Sequence, residues 1–451
     1  MWFKALELLG SLSILIVLHE LGHFLAAKYF KVRVEKFYLF FDFLFPMPGV
    51  MNFSLFKKKI GDTEYGIGWF PMGGYVQMSG IMDESMDKEA LKQPMQDYEF
   101  RAKPAWQRLI ILLGGIIVNI LLAFVIYSGM SYVWGDKYLP TENAKYGIFV
   151  DSLGTDLGLQ NGDLITEVDG VKMENFNDIK SAIIFDMGKN LTVKRGDETV
   201  KIEGLDGKIL KQLIDAKGRG MYELAVPAVI GSFSEGSVIE KAGAQVGDKL
   251  VALGDDKISY QNEVADIKEK YIGKEVALVV ERNGVLDTSK VTIGEDAMLG
   301  YQLQSEEILF KFERKRYSFG EAIVAGPVKT WETFTNYLKQ FKLIFNKEVK
   351  GYKHIGGFAA IGGMFPDQSN FTWEIFWALT AFLSVMLAFM NLLPIPALDG
   401  GHALFTIYEM IVGKPANEKF MEYAQMGGML ILFSLLILAN GNDIFKYFFG
   451  G

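Results

Sequence analysis

Four stretches of the chain are apolar enough and long enough to cross a bilayer, which takes roughly 20 helical residues. They run from about Leu6 to Phe30, Leu109 to Trp134, Phe376 to Leu398 and Met421 to Leu438. Between the second and third stretches the chain has the mixed pattern of water-soluble domains, with short alternating runs and turn residues. The pattern predicts a multi-pass α-helical membrane protein with four transmembrane helices and a large segment outside the bilayer.

The first apolar stretch also has the length of a secretory signal peptide, but its flanks argue against one. Glu7 stands where a signal peptide has basic residues, and no small-residue cleavage site ends the apolar run. Cleavage would also remove the two histidines that this stretch contains. The stretch is therefore predicted to remain in the protein as its first transmembrane helix.

Basic residues give the predicted orientation, because short cytoplasmic loops are enriched in lysine and arginine. The loop between the first two spans carries Lys28, Lys31, Arg33, Lys36, Lys57, Lys58, Lys59, Arg101, Lys103 and Arg108. This loop is predicted to be cytoplasmic, so the N-terminal tail and residues 136–370 lie outside. Lys414 and Lys419 mark a second inner loop before the fourth span.

The outer segment contains an internal repeat. The run GLQNGDLITEVDGVKM begins at Gly158, and GAQVGDKLVALGDDKI begins at Gly243. Each copy continues with a helix-like stretch (Phe176–Phe185 and Glu263–Tyr271) and an alternating hairpin. The repeated loop and strand resemble those of bacterial PDZ domains, which bind an extended peptide or a C-terminus at a sheet edge. Two generic small β-rich domains are the alternative.

Two further regions have distinctive patterns. Ser318 to Phe345 predict an amphipathic helix, lying either on the outer membrane surface or on the second repeat, and a glycine-rich connector from His354 to Gly363 follows. The inner loop from Tyr38 to Gly80 is apolar, aromatic and rich in glycine, and Gly61 to Gly80 alternate well enough for one or two β-hairpins. This β-rich loop is predicted to be associated with the membrane, beside the spans that would cover its backbone.

Composition narrows the classes of function. The 451 residues are half hydrophobic and carry a formal net charge of −8, which argues against nucleic acid as a partner. The chain has no cysteine, so disulfides and thiolate metal sites are excluded. Any metal ion would have to be bound by histidine, carboxylate or backbone groups.

The first span contains three ionisable residues within the run VLHELGHFL. His19, Glu20 and His23 fit the pattern H-E-x-x-H, in which two histidines on one face of a helix reach the same metal ion. The glutamate next to them is placed to act as general base on the attacking water. Ionisable groups inside a span usually mark function. The alternative is that the two histidines are hydrogen-bonded in the core of a helix bundle and have no functional role.

A catalytic zinc site usually has three protein ligands, so one is missing from this helix. Asp399, in the run NLLPIPALDGGHALF, lies at the inner end of the third span, at a depth similar to that of His19 and His23. His402 and His354 are the two remaining histidines, and His402 is the rival third ligand.

HELGH in the first span, followed far downstream by N-x-x-P-x-P-x-L-D-G-G, resembles the site-2 protease family of intramembrane zinc metalloproteases. Two external PDZ-like modules and the runs GDTEY (Gly61–Tyr65) and PMGGYV (Pro71–Val76) point to its bacterial RseP-like branch. The family's proline in the second span is absent here, where residues 115–119 read GIIVN. The resemblance covers nearly the whole chain.

The resemblance implies roles for individual residues. His19, His23 and Asp399 would bind one Zn²⁺ ion per chain, and Glu20 would be the catalytic base. The implied substrate-binding residues are Asn391, Pro394, Gly73, Gly74, Tyr75 and Val76, and Asn119 is a further candidate. The activity implied is hydrolysis of peptide bonds within transmembrane segments of single-pass proteins in the lipid bilayer, such as a pre-trimmed anti-sigma factor or remnant signal peptides.

The implied location is the bacterial inner membrane, with the PDZ domains in the periplasm and the active site toward the cytoplasm. The predicted domains are the first span (1–30), the inner loop (31–104), the second span (105–135), two PDZ-like domains (136–220 and 221–305), the amphipathic helix and connector (306–371), the third span (372–405), and the fourth span with its flanks (406–451). A zinc transporter or a PDZ scaffold is the rival function, although a scaffold would need neither Glu20 nor Asp399.

Overall fold

A computed structural model describes residues 2–44, 51–71, 73–81, 94–215, 220–346 and 355–449. The chain forms two compact units. The first comprises Met1–Gly135, Arg316–Leu338 and Lys353–Gly451, and the second comprises Asp136–Lys315 and Lys339–Tyr352. The apolar helices lie in the first unit and the repeats lie in the second.

The described residues form thirteen α-helices. They are α1 (Trp2–Tyr29), α2 (Ala105–Val133), α3 (Ser152–Asp156), α4 (Asp178–Phe185), α5 (Gly207–Asp215), α6 (Val238–Lys241), α7 (Gln261–Glu269), α8 (Glu306–Leu309), α9 (Phe319–Ile344), α10 (Phe358–Gly363), α11 (Trp373–Leu392), α12 (Asp399–Val412) and α13 (Glu418–Phe449). Four of them, α1, α2, α11 and α13, are long and apolar enough to cross a membrane. This confirms the prediction of a membrane protein with four such helices.

The predicted end of the third span at Leu398 is wrong. Helix α11 ends at Leu392, and the chain turns through Pro394 and Pro396 before α12 begins at Asp399. Each proline lacks a backbone N–H and disfavours helix at the residue before it, so the helix cannot continue through this stretch. The apolar pattern continues through the break, because the residues within it are themselves mostly apolar, but Pro394 and Pro396 predict the break from the sequence.

The described strands are β1 (Val34–Leu39), β2 (Ser54–Ile60), β3 (Thr63–Gly68), β4 (Tyr75–Met78), β5 (Asp136–Tyr138), β6 (Ile148–Val150), β7 (Leu164–Val168), β8 (Val171–Lys172), β9 (Asn190–Arg195), β10 (Glu198–Glu203), β11 (Tyr222–Leu224), β12 (Ile230–Phe233), β13 (Lys249–Leu253), β14 (Asp256–Lys257), β15 (Glu275–Arg282), β16 (Val285–Thr292), β17 (Tyr301–Leu303) and β18 (Glu313–Lys315). They pair into separate small sheets, three of which have four strands.

The inner loop forms one of these sheets, with strand order β2-β3-β1-β4. Strands β2 and β3 make an antiparallel hairpin, β1 runs parallel to β3, and β4 pairs antiparallel with β1. The prediction of hairpins within Gly61 to Gly80 is therefore wrong in its pairing, because β1 lies between β3 and β4. Strand β4 is left at one edge of the sheet, and its association with the membrane stays a prediction.

The two repeats of the outer segment have matching sheets, with orders β10-β9-β7-β8 and β16-β15-β13-β14. In the first, Arg195 donates to both carboxylate oxygens of Asp163 at 2.8 Å. In the second, Arg282 makes the same contacts with Asp248 at 2.8 and 2.7 Å. Each repeat also has its own buried apolar core. Their assignment as PDZ domains stays a prediction.

Helix α9 matches the predicted amphipathic segment, and part of it packs against the apolar helices. Thr333 lies 3.3 Å from the Tyr127 hydroxyl of α2, Lys329 donates to Ser131 at 2.7 Å, and Tyr337 packs on Phe389 of α11. The alternative in which this helix simply packs on the second repeat is therefore wrong for residues up to 338. His354, the first residue of the predicted connector, lies outside the described residues.

Candidate metal centre

The first half of the centre lies on α1. The residues of α1 at four-residue spacing that face the interior are Glu7, Ser11, Leu15, His19, His23 and Ala27. Because residues four apart share one face of an α-helix, His19 and His23 point the same way. Both histidines are buried, and their Nε2 atoms lie 3.2 Å apart. The H-E-x-x-H spacing thus places two imidazoles side by side on α1.

Helix α2 packs against both imidazole rings. His23 Nδ1 lies 2.8 Å from the Ile111 carbonyl oxygen, and His19 Nδ1 lies 3.1 Å from the Asn119 side-chain amide. A Cβ on Gly115 would stand 2.5 Å from His23 Nε2 and 2.6 Å from His19 Cε1. Only glycine at this position leaves room for the two rings.

Asp399 reaches the same place from near the other end of the chain. It begins α12, where the helix dipole favours a negative charge. The turn that precedes it folds back tightly, because a Cβ on Gly400 would stand 2.5 Å from the Leu392 carbonyl oxygen. The proline turn therefore brings the Asp399 carboxylate beside α1, where a continuous third helix would have carried it away.

Three lone-pair atoms converge at this point. Asp399 Oδ2 lies 3.1 Å from His19 Nε2 and 3.3 Å from His23 Nε2, and the ligand atoms of the three residues lie within 4.8 Å of one another. Oδ2 is buried, and no described residue gives it a well-directed hydrogen bond. Two imidazole nitrogens and a carboxylate are a donor set that suits Zn²⁺ with one position left open. The donors present therefore fit a divalent metal ion.

The other histidines do not join this group. His402 is half-buried on α12, but it is not among the described residues whose ligand atoms converge with those of His19 and His23. His354 lies outside the described residues. Of the third ligands considered from the sequence, Asp399 is the one that the described structure brings to the two histidines.

Glu20 lies on the side of α1 that faces the beginning of β4. A Cβ on Gly74 would stand 2.7 Å from Ile16 Cγ2 and 3.4 Å from Glu20 Cγ. The neighbouring Gly73 is covered by the Phe41 ring, 2.7 Å from where its Cβ would stand. The stretch predicted to pair with substrate therefore lies directly beside the predicted base.

Tyr75 and Val76 continue this stretch into β4, and their side chains hold the sheet in place. The Tyr75 hydroxyl donates to Asp42 Oδ1 at 2.9 Å, and its ring stacks on Tyr38. Val76 is buried in a core shared with α1 and α2, next to Ile111. Strand β1 pairs with one edge of β4, and no described strand pairs with the other edge.

The two predicted substrate-binding residues of the downstream motif lie in different places. Asn391, in the last turn of α11, has its amide nitrogen 3.3 Å from His19 Nε2. Pro394 lies in the turn between α11 and α12 that positions Asp399. The structure thus places Asn391 at the candidate metal centre and Pro394 in the turn that positions Asp399.

Sequence reasoning missed the Ile111 carbonyl and Ser384, whose Oγ donates to the Asn119 carbonyl oxygen at 2.8 Å. A backbone carbonyl leaves no trace in the sequence, and a single serine in an apolar span is common. Gly115 did carry a signal, because glycine inside a helix costs about 1 kcal/mol relative to alanine and calls for a packing reason.

Comparison with known proteins gives a consistent result. Residues 7–435 of the chain match Peptidase family M50. The chain is 26% identical to Protease RseP of Yersinia pestis, with 96% of each chain covered. It is 25% identical to the Regulator of sigma-E protease RseP of Salmonella typhimurium, again with 96% of each covered.

A relative from Neisseria meningitidis is 26% identical over 97% of this chain and 98% of its own length. The name of that protein assigns it provisionally to the zinc metalloproteases. All three similarities extend over the spans, the inner loop and the outer segment.

Proposed function

Because this chain belongs to Peptidase family M50, the site-2 protease family of metalloproteases, we propose that it hydrolyses peptide bonds inside the membrane with one zinc ion held by His19, His23 and Asp399. The observation that carries the proposal is the convergence of ligand atoms within 4.8 Å from two histidines of α1, a helix apolar enough to cross a bilayer, and from Asp399 at the start of α12. A zinc ion bound there supplies Lewis-acid chemistry, which makes a carbonyl more electrophilic and a water more acidic.

Glu20 is the proposed proton carrier. It follows His19 directly on α1, so its carboxylate is held next to the ligand cluster and faces the strand edge where a substrate would lie. As general base it takes a proton from the attacking water, and as general acid it returns a proton to the leaving amine. The arrangement needs no other titratable side chain for either transfer.

The peptide bond has to leave its helix before it can be cut, because an intact transmembrane helix hides every backbone group in its own hydrogen bonds. Gly74, just before β4, lies beside Glu20, and no described strand pairs with the edge of β4 away from β1, along which an extended segment could add as a further strand. Asn391 offers its amide at 3.3 Å from His19. We assign Gly73 to Val76 and Asn391 to holding the unwound substrate, with Pro394 supporting them.

The outer segment is proposed to be two PDZ domains that select substrates. In the first repeat, a cavity of about 340 Å³ lies between α4 and β11, lined in part by Phe176, Lys180 and Tyr222. The Tyr222 hydroxyl is buried without a partner among the described residues, and burial lowers the pKa of Lys180 nearby. Strand β11 pairs with β6 on one side, so an extended peptide could lie along its other side.

The proposed substrates are single-pass membrane proteins whose outer part has already been trimmed, such as an anti-sigma factor, and remnant signal peptides. The names of the relatives from Yersinia and Salmonella concern RseP and sigma-E regulation, which supports the first of these. The proposed location is the bacterial inner membrane, with the modules in the periplasm and the metal centre toward the cytoplasm. The basic residues of the inner loop support that orientation.

The test compares the wild-type chain with Glu20→Gln, both purified whole in detergent. We expect both to hold one zinc ion per chain and only the wild type to cleave a single-pass transmembrane test substrate. Asp62→Asn, an acid-to-amide change in an exposed turn, is the matched control and should cleave normally. A fully active Glu20→Gln enzyme would contradict the role of Glu20, and a wild type without zinc would contradict the metal centre.

A second experiment tests the selecting role of the modules. Deletion of residues 136–305 should allow untrimmed substrates to be cleaved, because the screen has been removed. Continued cleavage of a trimmed substrate by the same shortened chain shows that its catalytic part is intact. If that chain cleaves trimmed substrates and still rejects untrimmed ones, the modules are not the filter.

A further inference from the structure

We propose that Asn119 is a positioning residue that fixes the tautomer of His19, leaving Nε2 with its lone pair for the metal ion. The inference rests on the proposed zinc site and extends it to a residue that does not bind the metal. Asn119 is fully buried on α2, and its side-chain amide lies 3.1 Å from His19 Nδ1. At this distance one of the two groups must donate and the other must accept.

The direction of this hydrogen bond decides which histidine nitrogen carries the proton. A half-turn of the amide exchanges its oxygen and nitrogen, so either atom can face the ring. If the nitrogen faces His19 and donates, Nδ1 is the acceptor and the proton of the neutral imidazole sits on Nε2. If the oxygen faces His19, Nδ1–H donates and Nε2 is free to bind a metal ion.

Two observations bear on this choice, and the first favours the oxygen. His19 Nε2 lies 3.1 Å from Asp399 Oδ2, within the cluster of three ligand atoms, where a metal ligand must be unprotonated. With the nitrogen facing His19, the Asn119 oxygen is buried and has no partner among the described residues. Turning the amide gives that oxygen the His19 Nδ1–H as its donor and leaves Nε2 with its lone pair, while the amide nitrogen takes the position that has no described partner.

His23 shows the same arrangement with an acceptor whose identity is fixed. Its Nδ1 lies 2.8 Å from the Ile111 carbonyl oxygen, which can only accept, so a neutral His23 carries its proton on Nδ1. Ile111 and Asn119 lie two intervals of four residues apart on one face of α2, with Gly115 between them. Helix α2 thus supplies one oxygen acceptor to each histidine, from its backbone to one and from a side chain to the other.

Helix α11 contacts the backbone of Asn119. Ser384 is fully buried, and its Oγ donates to the Asn119 carbonyl oxygen at 2.8 Å. This contact fixes the backbone from which the Asn119 side chain extends, so the acceptor is in place before any metal ion arrives. Partners of this kind behind a metal ligand typically contribute about 10- to 100-fold in metal affinity.

The test measures zinc affinity by competition with a graded chelator on the whole detergent-solubilised chain, for the wild type, Asn119→Asp and Asn119→Leu. The three side chains are nearly the same size. Aspartate keeps an oxygen acceptor, whereas leucine has none. We expect Asn119→Asp to bind zinc about as tightly as the wild type and Asn119→Leu to bind it about 10- to 100-fold more weakly.

Thr380→Val is the matched control, because the Thr380 hydroxyl is also buried and donates to a helix carbonyl, that of Phe376. It should leave zinc affinity unchanged. Asn119→Ala repeats the loss of the acceptor without adding an apolar group, so the result does not depend on how leucine is tolerated. The absorption bands of the cobalt-loaded chain should shift in Asn119→Leu and Asn119→Ala, because the His19 ring is no longer held.

Each alternative gives a different order of affinities. If Asn119 only fills space, leucine should be tolerated better than a buried aspartate, and that order would overturn the proposal. If Asn119 donates to His19, aspartate should fail as badly as leucine, which would also overturn it. A wild-type chain that binds no zinc would refute the metal centre itself, whereas zinc binding that is equal in all variants would refute only the role of Asn119.

Discussion

Gly22 of α1 and Gly114 of α2 bring the backbones of the two helices into direct contact. A Cβ added to Gly114 would stand 2.6 Å from the Gly22 carbonyl oxygen, and one added to Gly22 would meet the Gly114 carbonyl even more closely. The pair lies next to His23 on α1 and Gly115 on α2, so this contact sets the distance between the two histidines and helix α2. Small residues are what allow helices to approach this closely in a membrane.

Gly22→Ala is expected to push α1 away from α2, because neither backbone can yield to the added methyl group. Overpacking of this kind typically costs about 1–3 kcal/mol of stability, and the displaced histidines should also bind zinc more weakly. Denaturant unfolding and zinc titration of the whole chain measure the two effects. Gly10→Ala is the control, because Gly10 lies on the same helix and a Cβ there meets nothing within 4 Å. Equal behaviour of the two variants would show that the close contact is unimportant.

Gly74→Val should abolish most cleavage and leave zinc binding intact. A side chain here would collide with Ile16 and with the Tyr38 carbonyl oxygen, each 2.7 Å from the Cβ position, and would displace β4 from Glu20. Cleavage of a transmembrane test substrate and metal analysis of the same preparation distinguish this from loss of the metal centre. Gly129→Ala, with nothing within 4 Å of its Cβ, should be silent in both assays. Zinc loss in Gly74→Val would contradict the prediction.

Glu7→Leu is expected to stabilise the protein. Glu7 is 6% exposed, and neither of its carboxylate oxygens has a hydrogen-bond partner among the described residues. A buried unsatisfied polar group costs about 1–3 kcal/mol, so an apolar side chain of similar length should raise the free energy of unfolding by a comparable amount. The unfolding midpoint in denaturant measures the change. A clear loss of stability would mean that the carboxylate has a partner beyond the described residues.

Acid should destabilise the second repeat through Asp248. The hydrogen bonds that Arg282 donates lower the pKa of Asp248 below its ordinary value of 3.8. The pKa of Asp248 is lower in the folded state than in the unfolded state. The ion pair with Arg282 therefore stabilises the fold fully above the ordinary pKa of aspartate, and this stabilisation is lost as the pH falls below it. Hydrogen exchange of β13 and β15 in the whole chain, measured from pH 6 to pH 3, follows this loss.

Asp248→Asn should be less stable than the wild type at pH 6 and should lose this part of the pH dependence. Asp255→Asn changes a nearby exposed carboxylate and serves as the control. The same exchange measurement applies to both variants. If Asp248→Asn showed the same pH dependence of hydrogen exchange as the wild type, the ion pair between Asp248 and Arg282 would be excluded as the cause of the loss of stability in acid.

The membrane helices and the ligand pair on α1 were accessible from the sequence because both depend on local periodicity. Hydropathy over a window of about 20 residues finds a span, and a four-residue spacing places His19 and His23 on one face. Asp399 required more than periodicity, since its depth had to be deduced from the topology of two distant spans. The repeat was equally accessible, because its glycines and aspartates recur in the same order.

The sheet of the inner loop and the packing of α9 were not accessible, because both depend on partners distant in sequence. The parallel pairing of β1 with β3 leaves no local pattern, since a strand's neighbours are set by packing around it. The fit of Gly326 of α9 against Phe124 and Ser128 of α2 is likewise a matter of shape. The hydrogen bonds of Ile111 and Ser384 behind the histidines are invisible for the same reason.

The break between α11 and α12 also bears on when, during synthesis, the proposed metal centre can form. His19 and His23 lie on α1 and are made long before Asp399, which begins α12. A partly synthesised chain therefore has the proposed base and two of the three proposed metal ligands without the third. The proposed metal centre can therefore form only after the chain has been translated through α11 and the turn that follows it.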